Sequence, residues 1–430
     1  MNQNQLLIED KKRQERQKER FLRKSIQISS KYLRKVTELR GMPDSMNYFI
    51  NILRRIFIDN DDVEKDKDTK TIGTFCVMAP QELIYAAGAM PVKLCSGNYT
   101  AFNIGDEKAP RDACPLVKAV MGSKIINGLD VYDNCSTYVV PTSCDCKKKM
   151  AYLLSEYKDV HILNVPTSKK DDQSINYYLK DLYGLKSKLE EVTGNEINYK
   201  NLREATSMIA EVQYEISRFY RLKMHKPALI RGTHAMAIMN SYSYENAEKW
   251  GKSLKLLNDE LELKLERGEF VARENSPRIM ITGSPIAFPN IKLPLLIEEM
   301  GGVLVADETC MGDRGIYDPV SVADDSFDGI MRALANRYIL PCSCPTFVKN
   351  KQRLFKIKQM IKDYKVEGVI YHVLRGCLVY DYEYTIVEEM LNEMEIPVIR
   401  VETDYNEEDI EQLRIRIEAF NEMIKFKKDR

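Results

Sequence analysis

TIGTFCVMAPQELIYAAGAMPVKLCS, residues 71–96, decides the fold. TIGTFCVMA (71–79) has the β-branched and aromatic content of a strand. PQELIYAAG (80–88) places Pro80 near a helix start and Gly88 at its end. MPVKLCS (90–96) is a strand again. Strand, helix, strand over so short a stretch is the unit from which parallel sheets are built.

The same grammar extends outward. Cys114-Pro115 opens a helix of LVKAVMG character, because proline at the first helical position has a preset φ and no amide left unpaired. STYVVPTS (136–143) is a strand, Cys144-Asp145-Cys146 leads into the helix KKKMAYLLSEY, and HILNVP (161–166) is a further strand. Residues 169–272 carry long helical patterns instead. After them the strands PRIMITGSP (277–285), VLVADE (303–308), VEGVIYHVL (366–374) and IPVIRVETD (396–404) return, with LPLLIEEMGG (293–302) as a helix closed by glycine. Cys344-Pro345 is expected to open a helix through QRLFKIKQMI, as Cys114-Pro115 does. In the last helix Ile410, Leu413, Ile417, Phe420 and Ile424 form one stripe that should pack on a sheet.

Before the first strand, residues 10–24 are charged and helix-prone, with Phe21, Leu22, Ile26, Tyr32, Leu33 and Val36 following at helical spacing. This reads as a solvated helix or a dimer-packing arm, ahead of a charged linker from Asp59 to Lys70. The fold class is α/β: two Rossmann-like parallel-sheet domains, residues 71–168 and 273–430, with a helical extension (1–70) and a helical connector (169–272).

The 430 residues are 44% hydrophobic, and 64 basic residues balance 64 acidic ones. Zero formal charge gives no global pull toward nucleic acid or anionic membrane. No run is long and apolar enough to span a bilayer, and Met1 to Asp10 lacks a signal-peptide core, so a cytoplasmic location is expected. Ten cysteines in such a chain argue against a disulfide framework. They leave a metal or cluster site, a catalytic thiol, or buried small hydrophobes. The four histidines, His161, His225, His234 and His372, are in no zinc-binding spacing.

The cysteines recur in matching places of the two halves. Cys95 and Cys310 follow second strands, Cys114 and Cys344 are the Cys-Pro steps, and Cys144 and Cys377 follow third strands. Cys76 ends the first strand, where the second half has Gly283. Ligands in open α/β sheets sit at the carboxyl ends of strands. Thiolates there are soft ligands suited to an iron–sulfur cluster in the interdomain cleft. Helix starts at Cys114, Cys144, Cys344 and Cys377 would favour its negative charge. Buried structural cysteines are the alternative.

TFCVMAPQELIYAAGAMPVKLC, PRDACPLVKAVMG, VPTSCDCKKKM, the GSP turn, ADETCMG, NRYILPCSCP, Gly376-Cys377 and VETDYNEEDIEQLRIRIEAF resemble the 2-hydroxyacyl-CoA dehydratase family, which includes the benzoyl-CoA reductase subunits. The resemblance covers most of residues 70–430. It implies a 4Fe–4S cubane held by three cysteines, mapping onto Cys114, Cys144 and Cys377. The surplus of Cys76, Cys310, Cys342 and Cys344 resembles the double-cubane-cluster (8Fe–9S) branch of anaerobic reductases. That branch implies six ligands: Cys76, Cys114, Cys144, Cys310, Cys344 and Cys377. Cys342 rivals Cys344, Cys95 rivals Cys76, and Cys135 and Cys146 are bystanders.

The resemblance further implies electrons from a separate ATP-hydrolysing iron–sulfur activator, a small-molecule substrate and a homodimer. Consistently, the chain has no Walker A motif (Asn246 precedes Gly251-Lys252-Ser253 where a glycine is needed) and no dinucleotide fingerprint. Glu82, Arg111, His372 and Arg375 are candidates to supply protons or charge, against a plain reading as caps and surface pairs. Lys147, Lys148 and Lys149 could meet a phosphate or an acidic activator, or form a solvated face. The alternatives are a single-cubane dehydratase subunit with a different partner subunit, and a scaffold whose cysteines are merely buried.

Overall fold

The computed structural model describes residues 3–315 and 319–428. Residues 1–2, 316–318 and 429–430, parts of the expected extension and second α/β unit, lie outside the described residues. The chain begins with α1 (Gln3–Glu38) and α2 (Asn47–Phe57). The first sheet region holds β1 (Thr71–Thr74), α3 (Gln81–Ala86), β2 (Met90–Lys93), α4 (Tyr99–Asp106), α5 (Pro115–Ile126), α6 (Asp130–Asp133), β3 (Thr137–Pro141), α7 (Asp145–Leu154) and β4 (Val160–Leu163). Four helices follow: α8 (Asp172–Thr193), α9 (Tyr199–Lys223), α10 (Gly232–Ser241) and α11 (Ala247–Glu266). The second sheet region holds β5 (Arg278–Gly283), α12 (Lys292–Glu299), β6 (Val303–Glu308), α13 (Phe327–Ile339), α14 (Lys351–Asp363), β7 (Gly368–Leu374), α15 (Leu378–Glu393) and β8 (Val398–Thr403), closed by α16 (Ile410–Lys428).

Each sheet has four parallel strands, ordered β2-β1-β3-β4 and β6-β5-β7-β8. The two orders are the same topology, so equivalent strand ends in the two halves carry equivalent positions. Burial follows the parallel rule that both faces are covered. Every residue of β1, β3, β5, β6 and β7 is buried. Pro91 is tolerated in β2 because that strand is at the sheet edge. The predicted stripe on α16 holds: Leu413, Ile417, Phe420 and Ile424 are buried, and Ile410 packs against the same core.

The strand expected over 71–79 stops at Thr74. Phe75 leaves the ladder, and its carbonyl instead accepts from Lys147 Nζ at 2.7 Å and the Cys95 thiol at 3.5 Å. The helix expected at Cys344-Pro345 starts only at Lys351. Its would-be first turn is an interlobe loop. Val348 N donates to Thr167 O at 3.0 Å, Thr346 Oγ1 to Ser143 O, and Asn350 Nδ2 to Cys344 O at 2.7 Å.

The amino-terminal helix is not a free arm. Residues 11–16 are exposed, but Phe21, Tyr32, Leu33 and Val36 are buried in this chain's own core. It bridges the two halves: Asn98 Nδ2 donates to Ser25 Oγ, while Lys31 pairs with Glu407 at 2.6 Å and Lys35 with Glu299 at 3.2 Å. The reading as a solvated or dimer-packing arm is therefore corrected from Phe21 onward.

Candidate functional site

The carboxyl ends of the two sheets face one another, and thiols from both collect between them. Cys114 caps α5, with Pro115 at its first position; Cys144 caps α7 and Cys377 caps α15. Free amides and the positive end of each helix therefore point at these sulfurs. Cys114 and Cys377 come from different halves, yet their thiols share a hydrogen bond, and Cys114 also feels the charge of Cys144.

Gly376 makes this junction possible. It has φ +76°, and a Cβ there would lie 2.4 Å from the Asp112 carbonyl. The turn before Cys377 thus rests on backbone two residues before Cys114, an approach open only to glycine. Cys377 is lowered to about 7, first by the Cys114 hydrogen bond, with further help from the Tyr380 amide and Ser284. Cys114 moves up in turn, through the same bond and burial.

A second group lies beside the first. Cys344 is buried, within electrostatic reach of Cys342, Cys310 and Cys76, and its thiol is raised by burial and by those neighbours. Burial would raise Cys310 also, but the charges of Arg314, Lys93 and Lys147 together outweigh it and the thiol is lowered. Arg314 Nη1 lies 3.5 Å from Cys310 Sγ.

Lys147 connects the groups. Burial opposes its charge, but Cys76, Cys95, Cys144 and Cys310 hold the ammonium protonated, and its pKa is raised. Of the three consecutive lysines only this one turns inward; Lys148 and Lys149 are exposed.

Behind Cys310 is a buried charged hub. Glu308 Oε1 and Oε2 accept from Arg314 at 2.9 and 2.6 Å, and Oε2 accepts from Thr282 at 2.6 Å and Arg353 at 3.4 Å. Ser343, between Cys342 and Cys344, donates to Glu308 Oε1 at 3.0 Å. Arg314 Nη1 also donates to the Tyr380 hydroxyl. Glu308, Arg314 and Arg353 side chains are fully buried. The hub fixes the loops carrying Cys310 and Cys344 in one arrangement.

The remaining sequence candidates are dispersed. Glu82 is fully buried; its Oε2 accepts from the Tyr338 hydroxyl at 2.6 Å, and its Oε1 has no hydrogen-bond partner. Arg111 is exposed. His372 lies inside β7, where its Nδ1 meets Ser284 O at 2.9 Å and burial lowers it to about 4. Arg375 is largely exposed and pairs with Asp404 at 3.0 Å. Cys342 is fully buried, with its carbonyl accepting from Lys169 at 2.6 Å. The Cys95 thiol is engaged with Phe75 O. Cys135 donates to Val131 O at 3.2 Å near the opposite end of the first sheet, and Cys146 is half-buried on α7. Sequence reading missed Arg314, Glu308, Lys93 and Ser284. For Lys147 the signal was present: three residues after Cys144 is the same helix face.

Among the described residues no three His, Cys, Asp or Glu side chains close on one point as a single metal ion would require. Cys76, Cys95, Cys144 and Cys310 surround Lys147, and Cys342, Cys310 and Cys76 surround Cys344, so the donors on this face are soft sulfurs. A larger groove of about 1290 Å³, between α1 and α4–α5, is lined by Arg20, Lys24, Lys31 and Arg34, and none of the cysteines line it. No helix among the described residues is long and apolar enough to cross a membrane.

Known proteins match most of the length of this chain. The family model described as 2-hydroxyglutaryl-CoA dehydratase, D-component, matches residues 76–424. YjiM of Escherichia coli (strain K12), named as a dehydratase subunit, is 32% identical over 363 residues, 84% of this chain and 93% of its own. The (R)-phenyllactyl-CoA dehydratase beta subunit of Clostridium sporogenes is 26% identical, over 83% of this chain and 92% of its own. A benzoyl-CoA reductase subunit of Thauera aromatica is 24% identical, over 84% of this chain and 92% of its own. The chain belongs to the 2-hydroxyglutaryl-CoA dehydratase D-component family.

Proposed function

We propose that the protein is an anaerobic iron–sulfur reductase that receives low-potential electrons from an ATP-hydrolysing activator and reduces a small molecule at a double-cubane cluster. What supports this reading is that thiols of both halves lie within electrostatic reach of one another, Cys114 with Cys144 and Cys377, and Cys344 with Cys342, Cys310 and Cys76; of these, Cys76, Cys114, Cys144, Cys310, Cys344 and Cys377 are the six proposed ligands. Three thiolates on each of two cubanes would use all six. When bound, such a cluster supplies one-electron reducing chemistry at a potential tuned by hydrogen bonds, charge and burial.

The residues around the sulfurs have definite tasks in this reading. Lys147 and Arg314 offset thiolate charge from two sides. Helix amides at Cys114, Cys144 and Cys377 do the same without protons that can be lost. Glu82, through the Tyr338 hydroxyl, is the buried carboxyl closest in arrangement to a proton source on the Cys76 side. Arg111, exposed before Cys114, and Arg375, beside Cys377, suit the docking of an acidic partner better than chemistry. His372 holds the Ser284 backbone, which in turn orients Cys377.

A second reading is favoured by the names of the relatives: a dehydratase subunit with one 4Fe–4S cubane on Cys114, Cys144 and Cys377, working with an unlike subunit. Iron and sulfide quantitation on strictly anaerobically purified protein separates the two. About eight irons per chain, falling to none or four in Cys344→Ala, supports the reductase; about four, unchanged in Cys344→Ala, supports the dehydratase reading. A colourless, iron-free protein defeats both.

A further inference from the structure

A cavity apart from the thiols lies beside α1, where the loops after β2 and β8 meet. Tyr32, Tyr405, Asn290 and Glu407 bring polar groups to it, and among the described residues no cysteine lines it. Ile28, Tyr99 and Glu407 line both this cavity and the open groove between α1 and α4–α5, so the two adjoin. The space of about 230 Å³ far exceeds the roughly 10–15 Å³ that one water needs. Because it adjoins the groove, its volume fixes no larger occupant.

Three proton-bearing side chains line this space. Glu407 stands at the groove end; its side chain is 36% exposed, and its Oε2 holds Lys31 at 2.6 Å. Tyr32 is buried, and its pKa is raised by burial and then by the charge of Glu407. Tyr405 is 3% exposed, and its hydroxyl has no hydrogen-bond partner among the described residues. A buried hydroxyl left unpaired costs stability, and beside a polar cavity the usual partner is water.

Tyr405 stands at the thiol end. It follows β8 by two residues, as Gly376 follows β7, and those strands pair as far as Leu374 and Thr403. Arg375 N donates to Thr403 O at 2.9 Å, which holds the turn before Cys377 against the residues leading to Tyr405. From the first half, Phe102 of α4 meets the Tyr405 ring edge-on at 6.3 Å. Burial raises the Tyr405 pKa, and Cys114, Cys95 and Cys377 raise it further, so thiols of both halves are within electrostatic reach of this hydroxyl. Glu82, the carboxyl on the Cys76 side, lines no part of this cavity.

We propose that this cavity holds a water chain that carries protons from the α1–α4 groove, through Glu407 and Tyr405, to the Cys114–Cys377 side of the site. This rests on the reductase reading, in which each electron passed to a substrate calls for a proton. In one event the Tyr405 O–H bond breaks toward the site as a new O–H bond forms from the neighbouring water. Glu407 takes a proton from solvent and passes it to that water, so every group ends as it began. Nothing along the chain is oxidised or reduced; the electrons come separately, from the activator.

A low-potential viologen radical, which donates one electron and no proton, tests this on anaerobically purified whole protein. Stopped-flow absorbance follows electron uptake, and a pH-indicator dye in weak buffer follows proton uptake. The wild-type protein should take up protons in step with electrons. Tyr405→Phe should slow proton uptake about 100-fold, the scale of a lost positioned proton donor. Its initial electron uptake, iron content and melting temperature should be unchanged. Glu407→Gln, at the groove end, should slow proton uptake in the same sense. A crystal structure of the wild-type protein gives a readout that needs no electrons: ordered water should bond Tyr405 Oη and continue to Glu407. A dry cavity, wild-type electron uptake without protons, or unchanged proton uptake in either iron-loaded variant overturns the inference alone. An iron-free protein removes the reductase reading, and the inference with it.

Discussion

Arg314→Met tests whether the buried hub behind Cys310 holds the site together. Arg314 is fully buried and places two N–H groups on the Glu308 carboxylate and one on the Glu308 carbonyl at 2.8 Å. Burial pushes Glu308 up, but the charges of Arg314 and Arg353 outweigh it and the carboxylate stays lowered. Methionine keeps most of the volume and removes the charge. Breaking one side of a buried pair typically costs about 3–5 kcal/mol, because the other charge is stranded. Glu308 retains Thr282, Ser343 and, at 3.4 Å, Arg353, so the loss should fall near about 3 kcal/mol.

The assay is guanidinium unfolding followed by circular dichroism, on wild type, Arg314→Met, Glu308→Gln and the double variant. Removing the stranded charge should make the double variant more stable than Arg314→Met by about 1–2 kcal/mol. A cost below about 1 kcal/mol for Arg314→Met, or a double variant whose losses simply add, refutes the reasoning. Arg353 alone would then suffice for Glu308.

Three further outcomes follow from packing and burial. In Gly122→Ala the new Cβ would lie 1.8 Å from the Ala101 carbonyl; α4 and α5 must part, at roughly 1–3 kcal/mol or more, measurable as a fall in melting temperature. Gly194→Ala, where nothing lies within 4 Å but φ is +76°, should cost only about 1–2 kcal/mol of backbone strain. His234 and His372 are each lowered by burial from 6.5 to about 4. The unfolded chain therefore binds more protons than the folded one between those values. The stability they allow is present above about pH 6.5 and is lost as pH falls toward 4. His372→Gln should flatten that part of the stability–pH profile, and an unchanged slope would show the ring to be solvated.

Much of this was legible before any coordinates. Strand positions, the glycine-closed helices and the α16 stripe came from periodicity, since each element is long enough or bounded clearly enough to have one reading. The caps at Cys114, Cys144 and Cys377 could be read because proline, aspartate or a glycine turn marks them locally. Cys344-Pro345 misled because proline permits a helix start without requiring one. There the interlobe bonds to Thr167 and Ser143 prevail over a local helix, and no local pattern encodes a distant partner. Arg314 was illegible for a similar reason: an arginine in a loop reads as exposed until the carboxylate that neutralises it, six residues upstream on β6, is seen to be buried too. The amino-terminal helix carried its answer at Phe21, Tyr32, Leu33 and Val36, but a stripe says that something is covered, not by what.

The two sheets share one strand order, yet the thiols they bring together are not divided by half. The group around Cys114 takes two members from the first half and Cys377 from the second. The group around Cys344 takes Cys310, Cys342 and Cys344 from the second half and Cys76 from the first. Ser284 stands one residue past β5, close to the place Cys76 has after β1, and it bonds Cys377 rather than adding a seventh sulfur. The group around Cys114 therefore needs both halves, and the group around Cys344 is joined by Cys76 from the first half. The contacts that close the lobes, Lys93 to the Cys310 carbonyl, Gly376 against Asp112 and α1 strapped across both, are then conditions for the site and not only for the fold. A substitution at any of them should disturb both thiol groups together, because the two sheets and α1 share one core.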